Sequence, residues 1–218
     1  MAARQRESLS RERVMRAALD LVDRDGLAKL SMRRLGSELS VEAMALYHYV
    51  PTKSALLIDL GQDVAETAVK KATAAARGGR TRYDRLRRFA LELRSELVRH
   101  PGALSILASQ PIHSPESVRL LDGIAERLHG EGGDPARGKR LVGAIVVLVL
   151  GHALAEAFCG EGGRRTDRHA ADRGMASCQH SAYFGTGGQD LGRENFLFVL
   201  DALLNGVEPM DGQEETEV

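Results

Sequence analysis

Polar and aromatic side chains cluster in residues 39–56, which read LSVEAMALYHYVPTKSAL. Tyr47, His48 and Tyr49 stand in a row, and Lys53 follows after a proline. Hydroxyl, imidazole and ammonium groups all donate hydrogen bonds, which the phosphate oxygens of a nucleic acid accept. The aromatic residues could instead simply pack a small core, and the sequence alone leaves that alternative open. The grouping therefore predicts a phosphate-binding surface.

Helix-capping residues divide the N-terminal part of the chain into short helices. Ser10 can cap a first helix that ends at Gly26, and Ser31 can cap a second. A third helix over residues 42–49 is ended by the proline that follows, and Thr52 caps a long fourth helix. Three short helices with a tight turn between the second and third predict a helix-turn-helix.

The third predicted helix begins with small or flexible side chains. Ala43, Met44 and Ala45 would let the backbone approach DNA bases and contact thymine methyl groups. Few turns are needed, because only the exposed face of a recognition helix enters the major groove. Lys53 lies in the first turn of the fourth helix, where backbone N–H groups also favour an anion. The stretch thus predicts a DNA-reading face bordered by phosphate contacts.

The remaining sequence also predicts helices, so the expected fold class is all-α. Six arginines between positions 82 and 99 alternate with acids and predict a solvated, ion-paired face. A later helix is apolar nearly all round over residues 141–159 and should be buried on most sides. Residues 160–190 predict a loop, and residues 191–207 a last helix.

Three parts follow from this organisation. Residues 1–52 are expected to form a three-helix head, and the long fourth helix joins it to a helical body over residues 53–208. Residues 209–218 form an acidic tail. Basic residues exceed acidic ones by three in residues 1–53, an excess that fits phosphate binding but that many solvated helices share.

Composition narrows the class of protein further. The chain is 43% hydrophobic and carries no net charge at pH 7. It has just two cysteines, which favours a cytoplasmic protein without disulfides. The N-terminus lacks the apolar core of a signal peptide. The apolar run 141–151 is too short to span a bilayer, so no membrane partner is expected.

The sequence does not match the residue patterns of a zinc site or of a nucleotide-binding site. Cys159, His169, Cys178 and His180 lack the spacing of a tetrahedral zinc site. The glycine-rich residues 185–188 lack the strand and the spacing of a nucleotide site. We therefore expect no metal, no cofactor and no enzymatic activity.

One long stretch, LSMRRLGSELSVEAMALYHYVPTKSALL, resembles the DNA-binding head of the tetracycline-repressor (TetR) family. The segments ILASQP, GHALAEAF and NFLFVLDALLNGVE are similar to ligand-binding and dimerisation segments of its tetracycline-repressor branch. The resemblance implies a ligand-responsive DNA-binding transcriptional regulator, usually a repressor. It also implies a homodimer on a palindromic operator in double-stranded DNA, released by a small, mostly apolar effector.

The resemblance assigns roles to particular residues. Positions matching base-reading or groove-edge residues are Arg33, Ala43, Met44 and Ala45, and positions matching phosphate contacts are Tyr47, Tyr49 and Lys53, with His48 beside them. Dimerisation would use Leu141, Ile145, Phe196, Leu200, Leu203 and Val207, unless these form plain intramolecular core. An effector pocket would be lined by His100, Ile106, Leu107, Gln110, His113, Leu121, Ile124, Val147, Leu148, His152 and Phe158.

Several positions depart from the family pattern. Ser40 stands where the turn usually has glycine, so the turn should be either strained or slightly different in shape, and Tyr49 stands where histidine is usual. Ile106 and Gly160 stand where the tetracycline–magnesium site needs histidine and glutamate, which predicts a different effector. The alternative function is a helical small-molecule or protein-binding module whose head does not read DNA.

Overall fold

The computed structural model describes residues 8–109, 114–129, 135–165 and 189–206. Nine α-helices and no strand occur within these ranges, which confirms the predicted all-α fold. The helices are α1 (Arg11–Asp25), α2 (Met32–Leu39), α3 (Ala43–Leu46), α4 (Lys53–Ala76), α5 (Arg82–Arg99), α6 (Pro101–Ser109), α7 (Pro115–His129), α8 (Pro135–Arg165) and α9 (Gln189–Asn205).

The head consists of α1 to α3 and the start of α4, packed around a closed apolar core. Predicted capping residues begin its helices: the Oγ atoms of Ser10 and Ser31 each accept a backbone N–H bond at 3.2 Å. Such caps stabilise a helix by about 1 kcal/mol each. The fully buried core side chains are Val14, Ala18, Leu21, Val22, Leu35, Leu46, Val50 and Leu56.

The turn between α2 and α3 depends on two residues. A Cβ atom on Gly36 would lie 2.8 Å from the carbonyl oxygen of Val41, so only glycine lets the two helices approach this closely. Ser40 has φ 57° and ψ 41°, a left-handed conformation that is unfavourable for a residue with a side chain. The predicted strain in this turn is therefore present in the structure.

Helix α3 is shorter than the predicted span of 42–49. Its regular part ends at Leu46, whose carbonyl oxygen accepts bonds from the backbone N–H groups of both Tyr49 and Val50, at 2.9 and 3.0 Å. The chain tightens here because a residue before proline is excluded from the helical region.

The body packs α4 and α5 against α7, α8 and α9. Its core includes Phe89, Leu93, Ile145, Phe196 and Leu200. Helix α6 belongs to both parts of the molecule, since Ala103 and Leu104 lie in the body core whereas Ile106 lies in the head core. The head and the body are thus joined through α6 as well as through α4.

Helix α8 differs from the prediction in two ways. It continues to Arg165, so the loop expected from residue 160 begins later. Its apolar segment, Ala136–Ala157, has only 28% of its residues buried, so it is not buried on most sides. By length and composition alone that segment would also be able to cross a membrane, a test that core helices of folded proteins pass as well.

Candidate nucleic-acid interface

Helix α3 presents one exposed face and one buried face. The side chain of Leu46 is fully buried in the head core, whereas that of Met44 is 74% exposed and that of Tyr47 42% exposed. Ala43 and Ala45 are half-buried at the edges of this face. The exposed face is therefore apolar and flat at its start, which suits close contact with thymine methyl groups.

Positive charge lies in the helices before and after α3. The side chains of Arg33 in α2 and Lys53 in α4 are exposed and, within the described ranges, form no ion pair. Other arginines of the head are engaged, since Arg24 pairs with Glu38 at 3.1 Å and Arg34 with Asp25 at 2.7 Å. Arg33 and Lys53 are thus available to an anionic partner.

Tyr49 fits the packing alternative rather than the predicted phosphate contact. Its hydroxyl donates a hydrogen bond to the carbonyl oxygen of Leu9 at 2.8 Å, and its ring packs against the head core. The residue therefore ties the segment before α1 to the head. His48 is exposed.

A polar cluster lies inside the body, between α5, α8 and α9. Nη2 of Arg94 donates to Oε1 of Glu156 at 2.5 Å, and Nδ1 of His152 lies 3.4 Å from the same oxygen. The rings of His152 and Phe196 meet edge to face at 5.3 Å, and the guanidinium of Arg94 lies 5.3 Å from the Phe196 ring centroid. Nε of Arg94 and both ring nitrogens of His152 have no hydrogen-bond partner among the described residues.

This cluster holds charge in a shielded place. The side chains of Arg94, His152 and Glu156 are 13%, 7% and 18% exposed. Burial acts to raise the pKa of the Glu156 carboxyl, but the polar contacts of His152 and Arg94 outweigh it, so that pKa lies below its usual range. The unsatisfied nitrogens make the cluster a place where a ligand's acceptor group can be recognised.

Two residues of this cluster, Arg94 and Glu156, are not among the site residues predicted from the sequence. Arg94 was counted with the solvated arginines of the fifth helix, and the buried Glu96, 4% exposed, was misjudged in the same way. The spacing of Glu156 four residues after His152, on an otherwise apolar helix, is a signal that would have found the cluster.

Several predicted pocket residues lie elsewhere. Ile106 is buried in the head core because α6 faces α1 at that point. Val147 is 71% exposed on α8. His100 is bound to Asp23 of α1, with Nδ1 2.7 Å from the carboxylate. Leu107, Leu121, Ile124 and Leu148 pack in or against the body core, whereas Gln110, His113 and the side chain of Phe158 lie outside the described residues.

Most of the predicted dimerisation stripe is core of the single chain. Ile145, Phe196 and Leu200 are fully buried, and Leu141 is nearly so. Leu203 packs partly buried against the same core, and Val207 lies outside the described residues. The intramolecular alternative therefore applies. Among the described residues of α8 and α9, the large apolar side chains that are exposed are instead Val147 and Phe198, the latter 74% exposed.

The expectation of no metal site concerned two cysteines and two histidines. The side chains of Cys159, His169, Cys178 and His180 lie outside the described residues. Within the described ranges, no group of three histidine, cysteine, aspartate or glutamate side chains is placed to hold an ion.

A comparison with known families decides between a DNA-binding regulator and a helical binding module that does not read DNA. Residues 14–60 match the sequence model for bacterial regulatory proteins of the tetR family, and residues 76–210 match that for the tetracycline repressor-like C-terminal domain. The chain belongs to the TetR family.

Similar proteins agree with this assignment. The HTH-type transcriptional repressor DrrR1 of Streptomyces coeruleorubidus is 29% identical over 96% of this chain and 81% of its own. The class D tetracycline repressor protein of Escherichia coli is 29% identical over 92% of this chain and 89% of its own. A possible TetR family regulator from Streptomyces coelicolor has a similar structure, with a TM-score of 0.68 and 27% identity over 90% of this chain and 98% of its own.

A TetR variant from Acinetobacter baumannii in complex with minocycline shares the fold, with a TM-score of 0.67 and 24% identity over 91% of this chain and 92% of its own. The prediction of a ligand-responsive DNA-binding transcriptional regulator is confirmed. The family comprises soluble transcriptional regulators rather than enzymes, and its members bind operator DNA and small-molecule effectors as dimers.

Proposed function

We propose that this regulator represses transcription in the cytoplasm by binding a palindromic operator as a homodimer. In this proposal residues 1–52 are the DNA-binding head and residues 53–208 the ligand-binding and dimerisation body. The observation that carries it is the exposed face of α3, with Met44 74% exposed and the unpaired cations of Arg33 and Lys53 on the neighbouring helices.

In this proposal the exposed residues on and beside α3 each have a role on DNA. Met44, with Ala43 and Ala45 beside it, contacts thymine methyl groups in the major groove, and Arg33 donates to a base or groove edge. The donors of Tyr47, His48 and Lys53 bind phosphates and fix the register of α3 on the duplex. With so few polar groups on the reading face, affinity depends strongly on phosphate contacts.

A second copy covers the exposed apolar face of α8 and α9. Val147 and Phe198 are 71% and 74% exposed, and Gly151 and Ala202 are exposed beside them. Burying large apolar side chains favours association, and small neighbours let helices approach closely. The two copies of α3 then lie about one duplex turn apart, roughly 34–36 Å.

The effector is a small, mostly apolar molecule with a hydrogen-bond acceptor, and it binds in the body near Arg94 and His152. The unpartnered nitrogens of these two side chains support this placement. It differs from the tetracycline–magnesium complex, because Ile106, at the position of the expected histidine, faces the head core. Effector binding favours a conformer in which the two heads are wrongly spaced, and DNA is released.

Selection of a random duplex library by the purified protein, without added ligand, tests the proposal. A palindromic motif with two half-sites supports it, and the selected duplex then serves to screen compounds that release the protein. Absence of any enriched motif, with a folded and dimeric protein, contradicts it.

The salt dependence of binding to the selected duplex tests the phosphate contacts. We expect Lys53→Ala to lower the slope of log K against log salt by about one per half-site, since each lost contact releases one counterion fewer. Lys70→Ala is the control, because Lys70 pairs with Glu66 in the body, and it should leave the slope unchanged. An unchanged slope in Lys53→Ala would show that this lysine does not face phosphate.

A further inference from the structure

One carboxylate of the head reaches directly into the body. Asp23, near the end of α1, has Oδ2 2.7 Å from Nδ1 of His100, the residue before α6. Its other oxygen, Oδ1, accepts the backbone N–H of Gly102 at 3.1 Å, in the first turn of α6. A single side chain therefore binds the end of α5 and the start of α6 at once.

The backbones are pressed together beside this contact. A Cβ atom on Gly102 would lie 2.4 Å from the carbonyl oxygen of Val22 in α1. Further along the same helix, Ile106 is buried in the head core. Because these contacts are so close, a change in the contact between Asp23 and His100 should shift α6, and with it the head.

Charged groups surround His100 from three helices. Asp23 faces it from α1, Lys71 and Asp63 from α4, and Glu96 from α5. Glu96 is itself paired with Lys71 at 2.6 Å and with Arg99 at 2.5 Å. Helix α6 contributes no charged residue.

The imidazole remains accessible to protons. Its side chain is 33% exposed, and it lines a cavity of about 180 Å³ between α1, α4 and α5. The hydrogen bond with Asp23 raises the pKa of His100 above its ordinary value, against the opposing effect of burial. Glu96 adds to the rise and Lys71 opposes it.

We propose that Asp23 and His100 form a proton-sensitive latch that holds the head on the body and thereby sets operator affinity. The proposal goes beyond the proposed function, although its DNA readout rests on it. Protonated His100 forms an ion pair with Asp23, whereas neutral His100 forms only a hydrogen bond. The latch is therefore at full strength below the ordinary pKa of histidine, about 6.5, and weakens as pH rises through the raised value.

Two substitutions fix the latch in its two states. His100→Arg keeps a cation opposite Asp23 at every pH, and His100→Asn keeps a neutral polar side chain. Affinity for the selected duplex is measured between about pH 6 and pH 8.5, the range over which histidine changes charge. All proteins carry His48→Asn, so that no second histidine of the head, close to the DNA, enters the comparison. Circular dichroism and size-exclusion chromatography check that each variant is folded.

The parent is expected to change its affinity for the duplex about threefold to tenfold over this range, as gain or loss of the charge at His100 strengthens or weakens the contact with Asp23. His100→Arg should show the acidic value throughout, and His100→Asn the alkaline value. Asp20→Asn is the control, since Asp20 is exposed on α1 and its substitution changes the charge of that helix without touching the contact between Asp23 and His100. It should keep the parent's pH profile.

The proposal is overturned if the parent shows no pH dependence, or if His100→Asn retains it. If no variant binds any duplex, the proposed function fails instead, and the latch is then tested without DNA. Amide exchange of residues 101–109, corrected for the intrinsic effect of pH, should be slower at the acidic end in the parent but equal at both ends in His100→Asn. Equal exchange in the parent overturns the latch.

Discussion

The head and the body differ in what they bury. Every member of the head core is apolar, whereas the buried polar side chains of the described residues, among them Thr73, Glu96 and His152, all lie in the body. Polar atoms of Thr73, Ser117 and His152 lack a hydrogen-bond partner among those residues. A close-packed apolar core has one arrangement, whereas unsatisfied polar groups favour a partner or a change of packing. The contrast fits the proposal that the head is a rigid DNA-binding part and that the body is the part that responds to an effector.

The largest effect is expected where the body exposes apolar surface. Phe198→Glu removes a large apolar side chain from each copy of the proposed dimer, which should weaken association by roughly 3–6 kcal/mol for the two copies together. Sedimentation velocity should then show a monomer. Ile58→Glu is the control, because Ile58 is 40% exposed on α4, away from α8 and α9, and should leave the dimer intact. A Phe198→Glu protein that remains dimeric would place the interface elsewhere.

The buried ion pair of the body comes next. Arg94→Met leaves Glu156 shielded and without its cation, which should lower the free energy of unfolding by about 3 kcal/mol in urea denaturation. Arg88→Met on the same helix is the matched control. Arg88 pairs with Asp84 at 2.9 Å but is 51% exposed, so its loss should cost at most about 0.5 kcal/mol. Equal losses in the two variants would mean that the body cluster is solvated.

The pH dependence of folding stability tests the same ion pair independently. The pKa of Glu156 is lowered in the folded chain, so its contribution to stability is present above the ordinary carboxyl pKa and is lost as pH falls through the lowered value. Glu156→Gln should flatten the loss of stability in that acidic range. The head core has no member of this kind, so substitutions there should leave the acidic limb unchanged.

Within the head, the close approach of α2 and α3 is the sensitive feature. Gly36→Ala places a Cβ against the backbone of Val41 and Ala43, which cannot yield as a side chain can, and should destabilise by about 2 kcal/mol. The displaced α3 should also lose affinity for the selected duplex. Gly123→Ala on α7 has only the end of a flexible arginine within 4 Å and should be neutral or slightly stabilising in thermal unfolding. A head that tolerates Gly36→Ala would be less rigid than its core suggests.

Local signals made the head predictable from sequence. Caps at Ser10, Ser31 and Thr52, the break at Pro51 and the apolar spacing act within a few residues, so the helices lie where they were expected. The length of α3 was overestimated because its last turn is set by the bonds to the Leu46 carbonyl rather than by composition.

Long-range contacts made the body less predictable. Whether Ile145 or Val147 faces the core depends on how α8 is rotated against α5 and α9, and an all-round apolar helix carries no period to show it. Arg94 is a second case. Its neighbours in the sequence predict a solvated side chain, and only the fold brings Glu156, 62 residues later, beside it. The junction formed by Asp23 and His100 has no local signature at all.

The smallest effect is expected at Ser40, and it separates strain from packing in the head. At φ 57°, glycine removes the cost of the left-handed conformation, which stabilises the fold by about 1 kcal/mol. It also raises the conformational entropy of the unfolded chain, which destabilises the fold by about 0.5–1 kcal/mol. Ser40→Gly should therefore change stability by less than about 0.5 kcal/mol, or about 2 °C in Tm. Ser37→Gly, the same change within α2, should lose about 0.5–1 kcal/mol, because it lowers helix propensity and removes the bond from the Ser37 hydroxyl to the Arg33 carbonyl, with no conformational relief. If the two variants unfold alike, the turn stores no strain. Its left-handed serine would then be as relaxed as the helix beside it, and Gly36 alone would set the angle between α2 and α3.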